Sequence, residues 1–265
     1  RRRLQPLNAG ESVARLLFQE DSYLREFEAI VVGIKENKVF LDATAFHPGP
    51  SGGLDMDTGY LVLPDGTKLK VIEVREDEGD VAHIVEGDLS KLSTGTKVKG
   101  VIDWDRRYSM MRLHTASHVI AAVLFNRYGA KVTGGHIRPD MAQDDFDLVN
   151  VEDWRGALLS AVEEANSLLS RCIDVKVYWL EREKALQIPG IVKLASRLPP
   201  EVKTLRIVEI PGVDIQADGG PHVKNTCEVG RVEVVKVENR GKTRKRLYYR
   251  LAGQPQGGVV GSGSG

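Results

Sequence analysis

After Asp103-Trp104-Asp105 the chain carries no glycine or proline up to about Tyr128, and Gly129 follows as a stop signal. That stretch reads as one long helix, with the apolar run Val119-Ile120-Ala121-Ala122-Val123-Leu124-Phe125 in its second half. His114 and His118 stand four residues apart on it, so both imidazoles project from one face, one turn apart. Two neutral imidazoles so placed can supply two corners of a metal site, although two unliganded, half-buried histidines give the same five-residue pattern. A third histidine tips the reading. His222 ends the segment Gln216-Ala217-Asp218-Gly219-Gly220-Pro221-His222, where two glycines and a proline exclude a regular helix or strand. Two helical histidines with His222, and Asp218 as a possible fourth ligand, make a plausible zinc set.

Before the helix the texture is different. Short β-rich runs recur at Glu26–Ile34, Lys38–Asp42, Tyr60–Leu63, Lys68–Arg75, Asp80–Val85 and Lys97–Trp104. Turn signals at Lys35-Glu36-Asn37, Pro64-Asp65-Gly66, Glu78-Gly79 and Thr94-Gly95 separate them, a spacing that predicts a small antiparallel barrel. Ser12–Phe18 reads as a helical turn or two in an N-terminal arm. After the long helix, strands are expected at Lys131–Ile137, Asp145–Val149, Val175–Leu180, Leu205–Ile210, Val229–Val237 and Arg246–Leu251. Helices are expected at Glu152–Arg171 and from Glu181 to Leu186. Helices and strands mix without a βαβ rhythm, so the fold class is α+β. The expected division is an arm and barrel over residues 1–104, an α+β domain over 105–252 and a flexible tail over 253–265.

Composition excludes some classes. With 42% hydrophobic and 28% charged residues the chain is globular, and no apolar run approaches a membrane span. A formal net charge of zero argues against a broad electrostatic grip on nucleic acid. Local basic clusters remain at Asp105-Arg106-Arg107 with Arg112, and from Arg240 to Arg250 beside Tyr248 and Tyr249. The second reads either as a phosphate-holding, base-stacking patch or as a solvated hairpin turn. Cys172 and Cys227 are the only cysteines, which is no disulfide framework and makes a reducing cytoplasm the default. Cys227 reads as the approach to a strand. His47 and His83 read as barrel surface residues, and His136, after two glycines, as a neighbour of the site.

The ordered set of short motifs resembles the AlaX family and the editing half of alanyl-tRNA synthetase. It comprises Leu41-Asp42-Ala43-Thr44-Ala45-Phe46, Ser51-Gly52-Gly53, Asp57-Thr58-Gly59, Val101–Tyr108, His114-Thr115-Ala116-Ser117-His118 and Asp218-Gly219-Gly220-Pro221-His222-Val223. The resemblance runs from about Tyr23 to about Leu251 and is to the medium or long type. It implies a cytoplasmic trans-editing hydrolase that deacylates tRNA(Ala) mischarged with serine or, second, glycine. His114, His118 and His222 would then be zinc ligands. Asp218 stands where many relatives have a cysteine, which leaves a three-histidine or a His₃Asp site open. Thr133 aligns with a pocket threonine that meets the serine hydroxyl, Gln216 would orient a ligand or water, and Gly52 and Gly53 would let the backbone approach RNA. The alternative is a metal-poor tRNA-binding module of the same fold. A hydrolase of some other small ester on this scaffold is a second rival. A fragment of a full synthetase is disfavoured, because the chain has no room for an aminoacylation domain.

Overall fold

The computed structural model describes residues 14–193 and 202–254. The first elements are β1 (Arg15–Leu16), α1 (Leu17–Glu20), β2 (Glu26–Lys35), β3 (Lys38–Leu41) and β4 (Ala43–Thr44). They are followed by β5 (Gly59–Val62), β6 (Lys68–Asp77), β7 (Asp80–Glu86) and β8 (Lys97–Ile102). Six of these close into a barrel in the order β2-β3-β7-β6-β5-β8, while β1 pairs in parallel with β4 beside it. Alternation decides which side chains fill the barrel. Along β2, Phe27, Ala29 and Val31 are buried and Glu26, Glu28 and Ile30 face out. The helical turn expected at Ser12–Phe18 begins only at Leu17, after the β1 pairing, and Ser12 and Val13 lie outside the described residues.

His47 and His83 are not surface residues; they are 3% and 0% exposed. Sequence could not show their partners, which come from other parts of the barrel. His83 Nδ1 contacts the Val39 carbonyl at 2.9 Å and its Nε2 lies 2.8 Å from Thr44 Oγ1. A neutral imidazole donating from Nδ1 and accepting at Nε2 satisfies both, so the ring can be buried.

Next come α2 (Trp104–Tyr128), β9 (Val132–Ile137), β10 (Ala142–Phe146), α3 (Trp154–Leu169), β11 (Lys176–Glu181) and α4 (Arg182–Leu186). The chain continues through β12 (Thr204–Ile210), β13 (Asp214–Ala217), β14 (Val232–Asn239) and β15 (Lys245–Leu251). The fold is α+β with a closed six-stranded barrel. Asp103 caps α2 by accepting from the Arg106 amide, and Gly129 ends it in the left-handed conformation at φ 64°. Leu113, Ala116, Ile120 and Leu124 of α2 are buried with Leu158 of α3 and with Phe146, Leu247 and Tyr249 from the sheet β14-β15-β10-β9. A second, three-stranded sheet has the order β11-β12-β13.

Three sequence expectations shift. β10 starts at Ala142 rather than Asp145, because the buried alternation Ala142, Asp144, Phe146 is interrupted by a carboxylate. The irregular segment expected from Gln216 starts later, since Gln216 and Ala217 pair with Val208 and Ile207 of β12 before the glycines begin. Cys227 lies in a 3₁₀ turn, Thr226–Val229, on the approach to β14, but it is not a free thiol: it forms a disulfide with Cys172, with Cα atoms 4.7 Å apart. The bridge ties the end of α3 to the segment after His222 and removes the cysteine argument for a reducing compartment. Residues 255–265 of the expected tail lie outside the described residues.

The basic cluster at the start of α2 joins helix to barrel. Arg107, fully buried, donates from Nε to both Asp57 oxygens at 2.9 and 3.0 Å and from Nη1 to the Ser22 carbonyl. Its Nη2 reaches the Ala45 carbonyl and Asp57. Arg106 pairs with Asp55 at 3.1 Å. These guanidinium groups are occupied by the protein itself. Among the described residues, no helix is long and apolar enough to cross a membrane.

Candidate metal centre

α2 presents His114 and His118 toward the loop after β13, which carries Asp218 and His222. The four ligand atoms lie within 4.8 Å of one another, and all three imidazoles are buried. Each ring is held from behind by its Nδ1. His114 Nδ1 is 3.1 Å from the Pro221 carbonyl and His222 Nδ1 is 2.9 Å from Thr115 Oγ1. His118 Nδ1 is 3.3 Å from Asp214 Oδ2, an ion-pair distance without hydrogen-bond alignment. The three Nε2 atoms then face one carboxylate. Those of His114 and His118 lie 3.2 and 3.1 Å from Asp218 Oδ2, and that of His222 lies 3.5 Å from Oδ1. His222 Nε2 is buried with no hydrogen-bond partner.

The donor set fits a metal on these grounds. Nitrogen ligands fixed through their far nitrogen, with an orphaned buried Nε2 and a carboxylate among them, form the usual imidazole–carboxylate surroundings of zinc. Burial and mutual charge set the protonation of the cluster. Burial opposes a charge on His118, but Asp214 and Asp218 outweigh it and raise its pKa to about 9. Burial and then the neighbouring His114 and His118 push His222 well below the ordinary histidine value. Burial opposes ionisation of Asp218, yet the surrounding imidazoles, His114 first, hold it well below the carboxylate range. A compact anion among three nitrogens is a site poised for a cation.

Outer contacts fix the loop. Arg206 of β12 donates from Nη1 to the carbonyls of Asp218 and Gly220 at 2.9 and 2.8 Å. Gly220 has no room for a side chain, since a Cβ there would lie 2.9 Å from His114 Cε1. Lys193 Nζ is 2.8 Å from Asp214 Oδ1, and Gln216 Nε2 donates to Asp214 Oδ2 at 3.1 Å.

A cavity of about 370 Å³ opens over the cluster, lined among others by His114, His118, Asp218, Thr133, Gln216, Gly52 and Gly53. Its walls come from α2, β9, β10, β13 with the loop after it, and the loop between β4 and β5. Gly53, at φ 83°, donates nothing to β9 but accepts the Ile137 amide at 2.7 Å; a Cβ there would meet the Gly135 carbonyl at 2.9 Å.

A family model described as the threonyl and alanyl tRNA synthetase second additional domain matches residues 205–248, the stretch that carries Asp218 and His222. A class II (A) tRNA synthetase model matches residues 13–106. The alanyl-tRNA editing protein AlaX-M of Saccharolobus solfataricus is 54% identical over 234 residues, covering 88% of this chain and 97% of that protein. The chain belongs to the AlaX family of alanyl-tRNA editing proteins. AlaX-M of Methanosarcina barkeri is 42% identical, covering 89% of this chain and 98% of its own length. The alanine–tRNA ligase of Archaeoglobus fulgidus is 38% identical over 84% of this chain but only 24% of the ligase.

Within this AlaX scaffold the structure brings seven of the eight candidate residues to the cavity wall, and the eighth, His222, beneath it. Thr133 Oγ1 donates to the Thr243 carbonyl at 2.9 Å, leaving its lone pairs for another donor. Gln216 turns to Asp214. His136 is half-buried on β9 and does not line the cavity. The Arg240–Arg250 cluster spans the β14–β15 turn and β15, where Arg244 and Arg246 pair with Asp145 and Arg250 with Glu233. Sequence reading missed Asp214 and Arg206, which touch His118 and the Asp218 loop from positions without a motif, Lys193 behind Asp214, and Ser117 and Asp144 on the cavity wall.

Proposed function

We propose that this chain is a zinc-dependent deacylase that hydrolyses mischarged tRNA(Ala), with seryl-tRNA(Ala) as the principal substrate and glycyl-tRNA(Ala) the second. The observation that carries the reading is the convergence of three backed imidazole Nε2 atoms on Asp218 beneath an open cavity. Membership of a family whose relatives are alanyl-tRNA editing proteins supplies the substrate class. A tRNA substrate in turn puts the reaction in the cytoplasm.

His114, His118 and His222 would hold the zinc, with Asp218 as fourth ligand or as the carboxylate beside it. A zinc ion bound there supplies Lewis acidity toward an ester carbonyl or an attacking water. The remaining work belongs to the chain. Asp214 keeps the His118 ring turned with Nε2 forward, Thr115 and the Pro221 carbonyl do the same for His222 and His114, and Arg206 holds the loop that carries Asp218. Thr133 accepts a hydrogen bond from the serine hydroxyl, which a cognate alanyl group cannot give. Gly52, without a side chain, leaves room for the terminal ribose, and Gly53 lets the loop pack against β9. Water adds to the ester carbon, the ribose oxygen leaves with a proton, and free serine and uncharged tRNA result. An aminoacyl ester is already activated, so polarisation and positioning suffice.

His118→Ala is the direct test: bound zinc and deacylation should be lost together while the circular dichroism spectrum stays. A folded variant with full activity would contradict the reading. Absence of deacylation by the native protein with tRNA binding retained would instead indicate the metal-poor binding module.

A further inference from the structure

One wall of the cavity carries an acidic side chain that the pattern of its strand does not call for. On β10 the inward positions are Ala142, Asp144 and Phe146, all buried against α2 and the sheet core; Asp144 is 4% exposed. A carboxylate at such a position is costly unless something compensates it. Two hydroxyls do so in part. Ser117 Oγ, from the turn of α2 between His114 and His118, donates to Asp144 Oδ2 at 2.8 Å, and the fully buried Tyr249 hydroxyl donates to the same oxygen at 2.6 Å.

Both donors meet Oδ2. No described residue donates to Oδ1. That oxygen lies beside Gly135, the direct partner of Asp144 across the β9–β10 ladder, and a Cβ at Gly135 would sit 2.7 Å from it. Gly135 and Asp144 both line the cavity, as does Ser117. Apart from the metal-binding cluster, Asp144 is the one charged side chain among the described lining residues. A buried anion with one oxygen fixed by neutral donors and the other left toward the ligand space is a receptor for a small cation that donates hydrogen bonds.

We propose that Asp144 Oδ1 receives the α-ammonium group of the aminoacyl ester, so that the cavity selects esters of free amino acids over N-blocked ones. This rests on the deacylase reading, which places an aminoacyl ester in the cavity that Asp144 and the histidines both line. Ser117 and Tyr249 are positioning residues in this arrangement: they orient the carboxylate and leave its second oxygen to the substrate. Gly135 belongs to the same device, because only a residue without a side chain leaves Oδ1 uncovered.

The test measures binding rather than turnover. The probes are the 3′-seryl amide of 3′-amino-3′-deoxyadenosine, which the protein cannot hydrolyse as an ester, and its N-acetyl counterpart. Calorimetry is run on the wild type, Asp144→Asn and Gly135→Ala. The wild type should bind the free-amine probe about tenfold or more tightly than the acetylated one, as expected for a charge-assisted contact in a desolvated site. Asp144→Asn should bring the two within about twofold. Gly135→Ala keeps the charge but covers the oxygen, and should also erode the preference, which keeps the proposal testable if the asparagine variant does not fold. An unchanged preference in either folded variant would overturn the role of Asp144 alone. A wild type that binds neither probe would overturn this proposal together with the deacylase reading.

Discussion

His118 Nδ1 faces Asp214 Oδ2 at 3.3 Å, and Lys193 Nζ holds the other oxygen of that aspartate at 2.8 Å. Asp214 and Lys193 are both buried, so the imidazole is set by a charged pair that water does not reach. Loss of the carboxylate frees the ring to rotate and leaves Lys193 with backbone carbonyls alone, those of Gly190 and Ile215. Asp214→Asn should therefore weaken zinc binding by about 10- to 100-fold, the usual effect of removing such an outer contact. Competition with a fluorescent chelator measures this. Unchanged affinity in a folded variant would show that His118 is oriented by other contacts.

Thr133 offers a sharper test of substrate choice. Thr133→Val keeps the shape of the side chain but removes the hydroxyl, both the donor to the Thr243 carbonyl and the acceptor facing the cavity. The rate ratio for seryl- against alanyl-tRNA(Ala) should fall by about tenfold or more, because a polar contact that recognises a hydroxyl is what rejects its absence. A ratio equal to that of the wild type would remove Thr133 from serine recognition.

The junction between barrel and helix makes a prediction about stability alone. Asp57 lies within the barrel at 0% exposure and its partner Arg107 is equally buried. Asp57→Ala strands a guanidinium in a dry site and should cost about 3–5 kcal/mol in chemical denaturation. A loss below about 1 kcal/mol would mean that Arg107 is satisfied by the Ser22 and Ala45 carbonyls without the aspartate.

His83 sets an acid limit on the barrel. Burial lowers its pKa from 6.5 to about 4, and the Val39 carbonyl only partly offsets this. The unfolded chain therefore takes up the proton first as pH falls. Stability is complete above about pH 6.5 and declines toward pH 4, by on the order of 3 kcal/mol for this group. Burial pushes His47 the same way, also to about 4. His83→Gln should flatten the fall in melting temperature between pH 6.5 and 5, whatever it does to the level. A slope identical to the wild type would assign the acid sensitivity elsewhere.

Much of this architecture is legible in the chain because its signals are local. Period-two alternation marks the barrel strands, and twenty-five residues without a breaker, closed by Asp103 and Gly129, mark α2. The Gly219-Gly220-Pro221-His222 run announces an irregular loop. What stayed hidden depends on partners far apart in sequence. Cys172 and Cys227 are 55 residues apart, and nothing local pairs them. Asp144 breaks the inward alternation of β10 and so concealed both the strand start and its own place in the cavity, since its partners Ser117 and Tyr249 come from α2 and β15. His83 looks like an outward polar residue until Thr44 and Val39 are folded against it. The Asp214–Lys193 pair backs His118 from residues that carry no recognisable motif.

The measurement that bears most directly on the whole account is deacylation of seryl-tRNA(Ala) by the purified protein, before and after chelation, with zinc quantified on the same sample. The account predicts hydrolysis that disappears with the chelator, returns with added zinc and accompanies about one zinc per chain. Hydrolysis that persists at full rate in the zinc-free protein would contradict it.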